Sequence, residues 1–292
     1  MEDDILVIRG LLGAAAIDGS PTAEQINVLQ SLVYGYMGLE VDLSTLDPAS
    51  PAEFASGIPD NDRHRAIDLL ALIEFCRHPS DPRQADLVET YADALGLDEP
   101  LLVVARDVQI GARDHVLADW SRYQVAPPVT PGIDGERPQG ESQFRHLEDC
   151  PADSLGRAFF DHYQRWNLTF PDEPGGGGDT MVGHDFTHVL ADYEPDPPGE
   201  IALQAMLLSA TNFDHHFSSF IAALAFNESK ALYLPGLFPT ELALTRPGAA
   251  DELADGFRRG VACTKDFSAI PHLELVDEPL EKVRKDCGIV SR

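Results

Sequence analysis

The sequence predicts an all-α protein in which a linker rich in proline and glycine joins two helical domains. Three observations carry that prediction. Apolar residues recur at three- and four-residue spacing through most of the chain, and period-two runs of β-branched residues are nearly absent. In addition, the 125–143 span packs four prolines and three glycines into one segment. With 292 residues, 43% of them hydrophobic, the chain is long and apolar enough to bury a substantial core.

In the first domain, 1–124, Ile5, Leu6, Ile8, Leu11 and Leu12 open a helix that runs to the turn pair Asp18-Gly19. Thr22 caps the next, with Glu24 and Gln25 in its first turn and Ile26, Leu29, Leu32, Val33 and Tyr36 as its buried stripe. Pro48, Pro51 and Pro59 punctuate a connector. Asp60 precedes a helix with the stripe Ile67, Leu70, Leu72 and Ile73, ending before Pro79. Pro82 starts another that Gly96 closes, and a longer helical segment is expected from Pro100 to Tyr123. In the second domain, 144–292, Leu155, Phe159, Phe160 and Tyr163 share one helical face. A loop containing Gly175 to Gly178 leads to a helix over Asp179 to Asp192, and a long apolar helix starts near Gly199. Two more helical patterns run from Thr240 and from Asp277. The glycine run has no Gly-Lys-Ser/Thr after it and no strand before it, so it reads as a loop and not as a phosphate cradle.

Charge narrows the partners. The net charge is −28, from 49 acids against 21 lysines and arginines, which excludes a nucleic-acid footprint and disfavours attraction to an anionic membrane. The four cysteines are scattered without a C-x-x-C pair, as reduced intracellular thiols would be. The acidic start, Met1-Glu2-Asp3-Asp4, is unlike a leader peptide, and cytoplasmic placement is expected. The apolar stretch from Ile201 to Phe226 carries Asn212, Asp214, His215 and His216 at its centre, which argues against a membrane span.

The strongest chemical signal is His184-Asp185-Phe186-Thr187-His188, followed after eleven residues by Glu200. Histidines at i and i+4 share one helix face, so both imidazoles can reach one ion. Asp185 lies about 100° round the helix from His184, close enough to be a third ligand or to act through a water. The intervening prolines and glycine can reverse the chain and bring Glu200 alongside. Two imidazoles with carboxylate oxygens suit a divalent ion, with zinc as the first choice.

These residues match a hallmark. The second half resembles the coenzyme Q (ubiquinone) biosynthesis protein 4 family, whose signature is His-Asp-x-x-His and a glutamate eleven residues on. His184, Asp185, His188 and Glu200 match it at every position, and Leu155-Gly156-Arg157, Gly199-Glu200, Arg258-Arg259-Gly260, Leu280, Arg284 and Gly288-Ile289 extend the likeness. The resemblance implies an all-α fold, a zinc-like ion on those four residues and a cavity for an isoprenoid tail. It implies as partner a polyprenylated quinone precursor, with oxidative decarboxylation of a 4-hydroxybenzoate-type head group or organisation of a biosynthetic complex as the role. Peripheral contact with the inner membrane face and homodimer formation belong to the same expectation. The chain departs from the family in its extra helical domain and in having no tryptophan between Ile270 and Leu275. More loosely, Ala15-Ala16-Ile17-Asp18-Gly19, Ala23-Glu24 and Leu95-Gly96-Leu97 in the first half resemble tellurite-resistance TerB-like domains.

Other readings use overlapping residues. A His-Asp phosphohydrolase would take His162, His184-Asp185 and Asp214, leaving His188 and Glu200 without a role. In a His-Glu-x-x-His protease, Asp185 would replace the general base and fall one methylene short of the attacking water. A lipid-binding scaffold with a structural zinc would use the same four ligands as an enzyme. His215 and His216 lie at least 15 positions beyond Glu200, roughly 22 Å along a continuous helix, and read as core or pocket groups.

Overall fold

Local signals place most of the helices. The computed structural model describes residues 2–79, 81–97, 142–176, 178–210, 213–230, 232 and 239–292. Among these, eleven α-helices and no strands are found, so the all-α class holds. The expected helix after Pro100 and most of the expected linker lie outside the described residues.

In chain order, α1 spans Glu2–Ala15, α2 Ala23–Ser31, α3 Pro51–Gly57, α4 Arg63–Phe75 and α5 Pro82–Leu95. Thr22 caps α2 through a reciprocal box with Gln25, and Gly96 ends α5 in the left-handed region at φ 74°. A π-turn, Leu32–Tyr36, extends α2. It seats Gly35 so close to the next layer that a Cβ there would lie 2.4 Å from the Ala254 carbonyl oxygen. The short α3 falls in the stretch expected to be a connector. Ser50 caps it and Pro51 occupies its first turn, where no backbone donor is needed.

The later helices are α6 Leu155–Trp166, α7 Asp179–Ala191, α8 Pro197–Ala210, α9 Phe213–Asn227, α10 Ala249–Ala262 and α11 Leu280–Cys287. The apolar stretch from Ile201 is thus two helices, and α9 packs back onto α8. The pattern from Thr240 yields only a 3-10 turn, Ala243–Thr245. Pro247 and a positive-φ Gly248 delay α10 to Ala249.

Helix α8 is the centre of the molecule. Its Ile201, Ala205 and Leu208 join a core built from α1–α5, α9 and α10, including Leu29, Leu70, Phe217, Phe220 and Phe257. Its Ala202, Leu203, Met206 and Leu207 join a second core with Phe159, Phe186, Leu190 and Phe267. Every side chain from Ile201 to Leu208 is buried, so the central helix is apolar on all faces because all faces are covered. Helix α10 approaches it closely: a Cβ on Gly256 would meet the Ala202 carbonyl oxygen at 2.3 Å, and one on Gly260 the Met206 carbonyl oxygen at 2.2 Å.

Candidate metal centre

The i, i+4 spacing on α7 does what the sequence predicts. His184 and His188 lie one turn apart with their Nε2 atoms 3.1 Å from each other. The turn between α7 and α8 brings Glu200, in the first turn of α8, opposite them. Its Oε2 is 3.3 Å from His184 Nε2 and its Oε1 is 3.1 Å from His188 Nε2. Together the three offer one ligand atom each within 4.8 Å of one another. Donors each 2.0–2.1 Å from one ion in tetrahedral array lie roughly 3.3 Å apart, so the spacing suits an ion of zinc's size. His184 and Glu200 retain 23% and 26% of their side-chain exposure while His188 is sealed at 1%, so the cluster opens to solvent on the side of the first two.

Supporting groups orient the ligands. His188 Nδ1 lies 2.9 Å from the Tyr193 carbonyl oxygen. A carbonyl only accepts, so Nδ1 carries a proton and Nε2 is the atom directed at the cluster, able to bind an ion once it carries no proton of its own. Burial disfavours a charged His184, but the Glu200 carboxylate outweighs it and lifts the imidazole to about 9. Burial likewise opposes ionisation of Glu200, yet His188 and His184 hold its carboxyl far below the usual range.

Asp185, the remaining sequence candidate, is buried on the same helix and turned to a different partner. Its Oδ2 accepts a short hydrogen bond from the Tyr163 hydroxyl. Burial raises the carboxyl above its ordinary range, against the pull of His184. The Tyr163 ring stacks on Phe170 at a centroid distance of 4.9 Å and meets Phe159 at a tilt, 4.8 Å away. Asp185 is thereby tied to the aromatic core behind the ligand trio.

Three arginines close the far end of α7. Arg284 donates to the carbonyls of Val189 and Leu190, the fully buried Arg259 to Ala191, and Arg292 to Asp192. These terminal carbonyls have no partners within the helix, and cations suit that end of its dipole. Of the other histidines, His216 is buried and bonded to Asp266 at 2.8 Å, in keeping with a structural role, while the His215 side chain lies outside the described set. His162 on α6 stacks at 6.0 Å on His188, and burial pushes it down to about 4.

Tyr163, Tyr193 and the arginine clamp hold α7 and its candidate ligands in a way that pattern reading did not assign them. Arg259 and Arg284 stood in the sequence only as flanking matches, and Tyr163 only as one apolar position on a stripe.

No helix among the described residues is long and apolar enough to cross a membrane. No family profile matches the chain, and no curated protein does. Among solved structures, it is similar to a provisionally assigned ubiquinone biosynthesis protein from Nostoc punctiforme, with 19% identity and a TM-score of 0.36, over 80% of this chain and 100% of that one.

Proposed function

We propose that this protein binds one divalent ion, zinc by ligand chemistry, through His184, His188 and Glu200, with Asp185 behind them, and that it serves quinone biosynthesis by holding a polyprenylated aromatic acid. The observation that carries the proposal is the convergence, from two helices, of two imidazole Nε2 atoms 3.1 Å apart and a carboxylate whose two oxygens lie 3.1 and 3.3 Å from them. The quinone assignment rests on the His-Asp-x-x-His and glutamate signature. The phosphohydrolase alternative is disfavoured because the cluster is built around His188 and Glu200, the two residues it leaves idle. The cavity that could take part of such a ligand measures about 580 Å³ and mixes Val7, Met37, Leu69 and Val261 with the charged Asp4, Asp62 and Arg65. It reaches Ser209 on α8, nine residues from Glu200 and so about 14 Å along the helix.

A bound ion would supply Lewis acidity toward a carboxylate or phenolate oxygen. The chain's own groups do the rest. The Tyr193 carbonyl fixes the orientation of the His188 imidazole, and Glu200 would offset one of the ion's two charges. Whether the ring's carboxyl is lost at this site or merely held separates an enzyme from a scaffold, and an assay for carbon dioxide release from a prenylated 4-hydroxybenzoate decides it.

Elemental analysis of purified protein should find about one divalent ion per chain, and both His184→Ala and Glu200→Ala should lose it. Unchanged metal content in either variant refutes the assignment. Mass spectrometry of solvent extracts from the same preparation should reveal an isoprenoid or quinone. Repeated absence, with no thermal stabilisation by added polyprenyl lipid, would count against the ligand.

A further inference from the structure

Among the described residues, the buried imidazoles have partners, whereas the half-buried His162 keeps one nitrogen without one. His188 bonds the Tyr193 carbonyl, His216 bonds Asp266, and His272 Nε2 lies 2.9 Å from the Phe267 carbonyl oxygen. His162 Nε2 is sealed from solvent and has no hydrogen-bond partner among the described residues. Its ring lies 6.0 Å from that of His188 with the planes 24° apart, and 6.2 Å from that of Tyr163, which holds Asp185. The helix that carries it, α6, thus contributes a wall of the metal centre that the ligand motif does not include.

His162 is not itself one of the converging ligands, which are His184, His188 and Glu200. Three protein donors leave a fourth tetrahedral position for something else. An imidazole stacked on one of the ligands, with an unprotonated and unused Nε2, can accept a hydrogen bond from an occupant.

We propose that His162 contacts the molecule that fills the open position, its unprotonated Nε2 accepting a hydrogen bond from an acid (a carboxylic or hydroxamic acid) that bonds the ion through a neighbouring oxygen. This rests on the metal reading above and adds to it the chemistry of the exogenous ligand. Anions without a hydrogen-bonding proton should gain nothing from His162.

The test uses the full chain loaded with cobalt(II), whose visible spectrum reports each change of ligand. Wild type, His162→Phe and His162→Gln are titrated with acetohydroxamic acid and, separately, with azide. All three proteins should hold the same amount of cobalt and bind azide alike. His162→Phe should weaken hydroxamate binding about tenfold or more, and His162→Gln, which keeps a hydrogen-bonding group, should recover most of the loss. Equal hydroxamate affinity in wild type and His162→Phe overturns the proposal, as does parallel weakening of azide, which would mark a general packing role. Loss of cobalt from both variants overturns it too, because His162 would then be an ion ligand. A wild type that takes up no cobalt refutes the metal reading itself and this inference with it.

Discussion

Glu228 shows what a single buried acid contributes outside the candidate centre. Its side chain is 0% exposed, one carboxylate oxygen accepts from the Leu244 backbone N–H at 2.7 Å, and Glu24 lies close by. Burial, reinforced by Glu24, pushes the carboxyl up to about 7 from its ordinary 4.5. The folded state therefore holds its proton more tightly than the unfolded state does. The associated stability is fully present below about pH 4.5 and is lost as pH rises through 7, for a total of about 3 kcal/mol. Glu228→Gln keeps an oxygen for Leu244 and removes the titration. Urea unfolding at pH 5 and pH 8 should show the wild type weakening between the two and the variant nearly level, with the variant the more stable at pH 8. A wild type equally stable at both pH values would rule the effect out. At this scale the sequence discloses the ligands but not their supports. His184 and His188 are one turn apart and Glu200 follows twelve positions on, whereas Tyr163, Arg259 and Arg284 reach α7 from 22 to 95 residues off. Nothing in a local pattern marks such a meeting.

The arginine clamp is a property of an element, since it satisfies successive carbonyls at the end of α7. Arg284 makes two of these bonds, at 3.0 and 2.9 Å, with only 13% of its side chain exposed. Arg284→Ala leaves both carbonyls without that charged donor and should cost about 2 kcal/mol in chemical denaturation. Lysine at 284 can replace one bond and should restore part of the loss. An alanine variant as stable as wild type would show that water replaces the arginine fully. Helix existence was readable from periodicity wherever a cap or stop signal agreed with it, as at Thr22, Pro82 and Gly96. Two errors have definite causes. Pro51 was weighed as a breaker when it begins α3, and the unbroken apolarity from Ile201 hid the division into α8 and α9. Composition alone does not distinguish one long buried helix from two that pack together.

Across the whole molecule, α8 belongs to both hydrophobic cores, and its first turn carries Glu200. Helices α1–α5 share a core with Ile201, Ala205 and Leu208 by way of α9 and α10, which pack on α8 directly, while the α6–α7 layer packs against the opposite faces. Neither core can melt and leave α8 in place. Calorimetry should therefore show one unfolding endotherm, and adding a divalent ion at about a hundredfold over its dissociation constant should raise the whole of it, by about 2.7 kcal/mol. Two endotherms, only one of which responds to the ion, would show the cores to be independent. Coupling of this kind turns the first ninety-odd residues, which hold none of the candidate ligands, into a reporter. Amide hydrogens in α4 and α5 should exchange more slowly when Glu200 is engaged, so occupancy of the centre becomes legible at surfaces that never touch it, available to any partner that docks there.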